Sequence, residues 1–495
     1  MELTQLLNSV HAIQVVGEVQ RKNISSIEHD SRKAAKNCLF VAIKGFNSDG
    51  HNYILEAINK GATAVVLENN NIIPEDIFMH RGITKILVKD SRVTLAELSN
   101  FFYKEPSTKL KLIGITGTNG KTTTSYFIKT ILEEAGGKVG LTGTIANYIG
   151  ENKLSASLTT PESNDMNELL LEMYNQGCQY VVMEASSHSL VLKRTYKLNF
   201  SSAVFTNITS DHLDFHGDFE NYLNAKKILF DSLTESAFGV YNSDDANSIS
   251  LIKDSRAKLF SYGTASNADF LLNNIQYDLN GTNFTIDHNG IQYKASTSLI
   301  GEFNAYNAGA AFAACVKLGI DANKAIEGIK NTKQVPGRFE IIGTGNKKVI
   351  VDYSHTADSL EKTLIAIRKI VKEENPVYTV FGCGGNRDKS KRPVMGNIAA
   401  NYSNKAIITS DNPRNEDPFS IITEIKKGIS TSNFEVIEDR ELAIKSAIEN
   451  SEDNVVILVA GKGHENYQEI NGVRKHFSDR EVAEKYLAAA EQGNR

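Results

Sequence analysis

The segment Thr116-Gly-Thr-Asn-Gly-Lys-Thr-Thr-Thr124 sets two glycines three residues apart and follows them with a lysine and a run of threonines. The apolar run Leu110 to Ile115 reads as a strand before it, and the amphipathic run Ser125 to Glu134 as a helix after it. Free backbone amides and the helix dipole at such a junction hold phosphate. Lys121 is then placed for the β and γ phosphates of a nucleotide and Thr122 for a magnesium ion, with Gly117, Thr118, Asn119, Gly120 and Thr123 around them. Ile115 stands where the strict GxxxxGK(S/T) pattern has its first glycine, so the loop is a variant. It predicts a bound nucleotide and leaves the reaction open.

Two further clusters carry hard donors. Glu184 closes the apolar run Tyr180 to Met183, and Asp211, His212, Asp214 and His216 follow the run Ala203 to Phe205. Oxygen-rich sets of this kind suit magnesium, which keeps waters and substrate phosphates in its shell. Toward the carboxyl end, Phe381-Gly-Cys-Gly-Gly-Asn-Arg-Asp-Lys-Ser-Lys-Arg-Pro393, Ser410-Asp-Asn-Pro-Arg-Asn-Glu-Asp-Pro418 and Ala460-Gly-Lys-Gly-His-Glu465 each follow a predicted strand. Three strand-end loops can converge on one ligand.

The segments Gly117-Thr-Asn-Gly-Lys-Thr-Thr123, Met183-Glu-Ala-Ser-Ser-His188, Asp211-His-Leu-Asp-Phe-His216 and Asn224-Ala-Lys-Lys-Ile-Leu-Phe230 together resemble the Mur ligases. Further matches run from Asp30-Ser-Arg32 to Gly461-Lys-Gly-His-Glu465, nearly the whole chain. The resemblance implies ATP as a substrate and one magnesium held by Thr122 and Glu184. It implies a second ion held or oriented by Glu184, His212 and Lys226, the lysine being carbamylated by CO2. Charge makes that modification reasonable, because an ammonium beside magnesium is repelled whereas a carbamate is an anionic ligand. Lys121, Lys226, His212 and His355 are the implied catalytic residues, and Asn304, Asn307, Arg338 and Asp352 would complete the ATP site. Ser31, Phe46, Asn47, Ser48, Thr159, Thr160, Ser186 and Arg194 would hold a UDP-linked substrate, while Leu192 departs from the polar residue often found there.

By the same resemblance, Arg387, Asp411, Asn412, Pro413, Arg414, Gly461 and Glu465 would hold an incoming amino acid. Asp411-Asn-Pro-Arg414 resembles the version that selects meso-diaminopimelate, whose distal carboxylate an arginine fork grips in bidentate fashion. Lysine lacks that carboxylate and would leave Arg414 unpaired. The implied reaction is ATP-dependent addition of meso-diaminopimelate to UDP-N-acetylmuramoyl-L-alanyl-D-glutamate through an acyl phosphate. Its rivals are a lysine-adding ligase, a folylpolyglutamate synthase, a P-loop NTPase that drives motion, and an inactive binding module.

Strands must position these loops. Apolar runs at Ala64 to Leu67, Val349 to Val351, Val377 to Phe381, Ala406 to Ile408 and Val455 to Val459 join those named above, alternating with amphipathic stretches as in α/β sheets. A chain of 495 residues, 41% hydrophobic, is long for a single core. Linker-like stretches at Lys104 to Lys109 and Lys333 to Arg338 predict three α/β domains at 1–107, 108–334 and 335–495. With the resemblance these become a UDP-sugar-binding domain, a central P-loop ATPase domain with a parallel sheet, and a Rossmann-like amino-acid-binding domain. Near-balanced charge, 54 basic against 59 acidic residues, excludes a broad field for nucleic acid or an anionic membrane. The amino terminus lacks a basic, apolar leader, and no long apolar run follows, so a cytoplasmic protein without membrane insertion is expected, and a monomer. Cys38, Cys178, Cys315 and Cys383 form no CxxC pair, which argues against a disulfide framework or a thiolate zinc site.

Overall fold

The computed structural model describes residues 1–45, 48–343, 345–371 and 373–493. Its frame is three sheets, each drawn from one of the predicted stretches. The first is five-stranded, with Gln14–Val16, Thr84–Leu87, Ala64–Leu67, Cys38–Val41 and Ser26–Glu28 side by side in that order. Only its first pair is antiparallel.

The central sheet has eleven strands. Its heart is parallel, in the order Val139–Thr142, Tyr180–Glu184, Lys111–Thr116, Ser202–Phe205, Phe238–Asn242 and Lys258–Gly263. Both margins end in antiparallel hairpins, Asn147–Ile149 with Asn152–Leu154 on one side, and Phe270–Asp278, Gly281–His288 and Ile291–Thr297 on the other. The parallel strands are largely apolar because both faces are covered, with exposed Lys111 and Lys258 at strand starts. Ile113, Val182 and Val204 enter one core, while Leu112, Val181, Met183, Ala203 and Phe205 enter the core on the opposite face. The first of these cores is closed by helices Lys121–Glu134 and Glu302–Lys317. Small buried residues at Ala305, Ala308, Ala310 and Ala311 let the second helix pack closely.

The third sheet runs Glu340–Ile342, Lys348–Asp352, Val456–Ala460, Val377–Phe381, Lys405–Ile408 and Phe434–Val436, with only the first pair antiparallel. Asp352 and Phe381 both pair with Ala460, and Phe381 with Ile408. The three loops predicted to converge therefore leave neighbouring strands at the same level. Beyond them lies a separate hairpin, Tyr467–Ile470 with Val473–His476. Among the described residues no helix is long and apolar enough to cross a membrane.

Candidate active site

Register brings the phosphate loop and its partners together. Strand Lys111–Thr116 lies between Tyr180–Glu184 and Ser202–Phe205, with Glu184 opposite Ile115 and Phe205 opposite Thr116. Glu184 and the loop after Phe205 thus flank the loop that begins at Thr116. Gly120 caps helix Lys121–Glu134 at φ 86°, and no side chain caps that end. A Cβ at Gly120 would run into Asn307 Oδ1, so position 120 is closed to larger residues by both backbone and space. Lys121 Nζ donates to the Gly117 and Thr118 carbonyls, each at 2.9 Å.

Glu184 is wholly buried. Its carboxylate accepts from Thr122 Oγ1 and Thr144 Oγ1 at 2.9 Å and from the Thr144 N–H at 3.0 Å, all neutral donors. A buried carboxylate so held is a fit partner for a cation. The oxygen set of Glu184 and Thr122 matches magnesium, whose shell phosphate oxygens and water would complete. Among the described residues no three His, Cys, Asp or Glu side chains cluster as a metal site made by protein alone. His216 and Asp214 do not join the set. His216 is buried with Nε2 at 3.0 Å from Ser187 Oγ, and Asp214 is exposed.

His212 lies beside Asp211, with Nε2 3.4 Å from Oδ2, and its ring packs edge-on against His188 at 4.8 Å. Burial lowers the His212 imidazole to about 3 against the pull of Asp211. Burial would raise the Asp211 carboxyl, but His355, His212 and Lys391 outweigh it and hold it at about 2. Lys226 is 1% exposed, its Nζ donating to the Gly117 carbonyl at 2.7 Å and lying 4.4 Å from the Tyr222 ring centre. Burial first, and Lys121 second, push this amine well below the usual lysine range.

One cavity of about 630 Å³ joins the loop residues Thr118 to Thr123 with Glu184, His212, Asn304 and Asn307 from the central part and Arg338, Asp352 and His355 from the third. Thr159 and Ser186 also line it. Contacts cross the cleft: Arg338 Nη2 donates to Thr122 Oγ1 at 3.2 Å, Asn119 Nδ2 to Asp358 Oδ2 at 3.1 Å, and His355 Nε2 sits 3.9 Å from Asp211 Oδ2. Arg338 stacks over Tyr353 at 4.3 Å, and Asp352 accepts from the Phe339 and Ser354 N–H groups. Thr160, fully buried, donates to the Glu184 carbonyl at 2.7 Å, and Arg194 binds Glu162 at 2.8 Å and the Thr160 carbonyl at 3.2 Å.

The first sheet docks through His29, whose Nδ1 is 2.8 Å from Asn164 Oδ1, and through Lys33, 3.0 Å from Asp165. Ser31 Oγ donates to Glu56 at 3.1 Å and Ser48 Oγ to Tyr53 at 3.3 Å. Phe46 and Asn47 lie outside the described residues.

In the third part, Asn412 Nδ2 donates to Glu465 Oε2 at 2.8 Å. Lys462, wholly buried, bridges Asn412 Oδ1 and Glu465 Oε2, both at 3.1 Å. Gly461 lies against Asp411, 2.7 Å separating its would-be Cβ from Oδ2. Arg414 adopts φ 52° and donates to the Gly385 carbonyl at 2.8 Å, whereas Arg387 is exposed. Pro413 is buried. Sequence reasoning missed Thr144 and Lys462. A strand at Val139–Thr142 next to Tyr180–Glu184 would have pointed to Thr144, while Lys462 gives no sign of burial in sequence.

Three family models match in turn: "Mur ligase family, catalytic domain" over residues 23–103, "Mur ligase middle domain" over 115–315, and "Mur ligase, glutamate ligase domain" over 337–463. A Clostridium tetani protein named UDP-N-acetylmuramoyl-L-alanyl-D-glutamate--2,6-diaminopimelate ligase is 43% identical over 490 residues, covering 98% of this chain and 99% of its own. A Caldanaerobacter subterraneus protein of the same name is 43% identical over 496 residues, covering 99% and 100%. A solved structure bearing that name superposes with a TM-score of 0.69 at 31% identity, covering 99% of both chains. With such identity along nearly its whole length, the chain belongs to the Mur ligase family.

Proposed function

We propose that the chain is an ATP-dependent ligase that joins meso-diaminopimelate to UDP-N-acetylmuramoyl-L-alanyl-D-glutamate in peptidoglycan precursor synthesis, acting in the cytoplasm. The observation that carries this reading is the single cavity in which the phosphate loop and Glu184 meet Arg338, Asp352 and His355 across the cleft. The names of the relatives supply the substrate pair. Arg414 supports the choice of diaminopimelate, since its guanidinium rests on a backbone carbonyl and forms no carboxylate pair among the described residues. The division into three units near residues 107 and 334 is part of the same proposal.

In the first step the free carboxylate of the D-glutamyl residue attacks the γ-phosphorus of ATP. A carboxylate O–P bond forms, the bridge to the β-phosphate breaks, and ADP leaves. Lys121 lies where it can leave its two loop carbonyls and meet the phosphate charge. Magnesium on Thr122 and Glu184, with carbamylated Lys226 and His212 for a second ion, would neutralise the phosphates when bound. Arg338 and His355 close the phosphate end from the third domain, and closure keeps water from the acyl phosphate. In the second step the amine of diaminopimelate attacks the acyl carbon. The N–C bond forms, the acyl C–O bond breaks, and phosphate departs as the amine gives up a proton. Asp411, Asn412 and Glu465 would receive the amino-acid end, and Arg387 and Arg414 the distal carboxylate.

Acceptor-dependent ADP release tests the reading, measured with ATP, magnesium, the UDP-muramoyl dipeptide and either meso-diaminopimelate or L-lysine. Release with diaminopimelate alone, and a product of the matching mass, is the expected result. Preference for lysine would remove the Arg414 argument, and turnover indifferent to any acceptor would remove the ligase.

A further inference from the structure

Arg387 and Arg414 sit on different loops, after strands Val377–Phe381 and Lys405–Ile408. Their side chains nevertheless flank one glycine: a Cβ on Gly384 would lie 3.0 Å from Arg414 Nη1 and 3.8 Å from Arg387 Cγ. The loops are joined by hydrogen bonds that all involve at least one backbone group. The Gly385 N–H donates to the Asn412 carbonyl at 2.9 Å, Arg414 Nη1 to the Gly385 carbonyl at 2.8 Å, and the Asn415 N–H to Asn386 Oδ1 at 3.1 Å. They approach so closely at Gly385 that any Cβ there would run into the Pro413 carbonyl.

Glu416 stands at the end of this seam. Its Oε1 accepts from the Asn386 N–H at 2.5 Å, which ties the second loop to the first. Its two oxygens also take Arg392 in a fork, Nη1 to Oε2 at 3.0 Å and Nη2 to Oε1 at 3.1 Å. Arg392 is wholly buried, reaches the Gly384 carbonyl at 3.2 Å and is braced by Glu424 at 2.8 Å. Buried ion pairs add little to stability compared with apolar packing, and their better-attested use is to fix one arrangement among several. Bidentate capture of a carboxylate needs its donors held within roughly half an ångström.

We propose that Glu416 is a positioning and specificity-determining residue. Through the Asn386 N–H and Arg392 it sets the spacing of Arg387 and Arg414, and thereby the preference for an amino acid with a distal carboxylate. The inference rests on the reading of those arginines given above.

The test compares wild type, Glu416→Gln and Glu416→Ala for kcat/KM with meso-diaminopimelate and with L-lysine, alongside the KM for ATP and the thermal midpoint. Glu416→Gln keeps an oxygen for the Asn386 N–H and loses the charge that holds Arg392. It should lower kcat/KM for diaminopimelate about tenfold, change that for lysine less than about twofold, and leave the KM for ATP in place. Glu416→Ala should narrow the preference further; if it does not fold, Glu416→Gln carries the comparison alone. An unchanged diaminopimelate-to-lysine ratio, or losses for ATP and amino acid that run in parallel, would overturn the proposal. Wild-type preference for lysine would instead sink the reading of Arg414. The clamp is then judged by amide hydrogen exchange at Asn415, whose N–H reaches across to Asn386 Oδ1, which Glu416→Gln must accelerate and which, if unchanged, refutes it.

Discussion

Lys226 combines a high cost in the folded state with a reason to keep it. A wholly buried amine with one carbonyl partner and an aromatic face is poorly compensated, and burial drives it toward the neutral form that can react with CO2. Lys226→Met removes the amine while nearly preserving volume. Its thermal midpoint should equal or exceed that of wild type, while acceptor-dependent ADP release should fall by at least about hundredfold. Retained turnover would mean that no carbamate is needed. Glu416 makes the second residue-scale case, facing Arg392, Lys389 and, across Arg392, Glu424. The Arg392 hydrogen bonds, working against burial, bring its carboxyl down to about 2. An unfolded glutamate titrates near 4.3, roughly, so the stability from this group is present above that pH and is lost as pH falls toward about 2. Urea melts between about pH 5 and 2 should therefore show wild type losing more stability than Glu416→Gln, and parallel losses would remove Glu416 from the acid response. Neither Arg392 nor Lys462 could be singled out from sequence, because isolated basic residues ordinarily read as solvated. Their burial follows from loops that only strand register brings together.

At the scale of elements, parallel strands such as Tyr180–Glu184, Val377–Phe381 and Val456–Ala460 were legible because both of their faces are covered, which writes an apolar run. Val139–Thr142, Phe238–Asn242 and Lys258–Gly263, parallel as well, were not read because glycine and polar residues interrupt them. The carboxyl ends of the legible strands then located the phosphate loop, Glu184 and the three loops proposed to hold the amino acid. The antiparallel margins were not legible for the converse reason. Phe270–Asp278 alternates half-buried positions with buried ones at its start and with exposed ones toward its end, and in the separate hairpin Val473–His476 is exposed throughout, so their residues read as polar connections. That last hairpin still bears on the site, since Arg414 donates its N–H to the Glu469 carbonyl and accepts from the Asn471 N–H. The phosphate loop is the element most open to a single change. Gly120→Ala meets both a left-handed φ of 86° and the side chain of Asn307. It should cost about 1–3 kcal/mol of stability and raise the KM for ATP, read by urea unfolding and steady-state kinetics. An unchanged KM would show that the loop reaches its nucleotide geometry by another backbone path.

For the molecule as a whole, the predicted cuts meet different local structures. The one at 334 falls outside any helix or strand, but the one at 107 falls inside the 3-10 turn Pro106–Lys109, where Ser107 Oγ accepts from the Asn199 N–H of the central part. The reading of a Lys-Glu-Pro-Ser-Thr-Lys stretch as linker thus overlooked a turn anchored by one hydroxyl. The other boundary matters more for the proposed reaction, because the phosphate loop and the loops assigned above to the amino acid lie on opposite sides of it, and the proposal needs them to approach for the amine to reach the acyl carbon. Arg338 to Thr122 and Asn119 to Asp358 are two of the contacts that span the cleft beside the phosphate loop. Asp358 also sits in the first turn of helix Ala357–Ile370 and pairs with Lys362 at 2.9 Å, so its loss alone would mix helix stability with closure. A double-mutant cycle with Asn119→Ala and Asp358→Ala separates the two, because the helix contribution cancels. If closure through this contact is used in turnover, the cycle on kcat/KM for ATP should give a coupling of about 0.5–1.5 kcal/mol. Additive effects would mean that the working enzyme brings its domains together without the Asn119 bond, leaving Arg338 as the contact to dissect next.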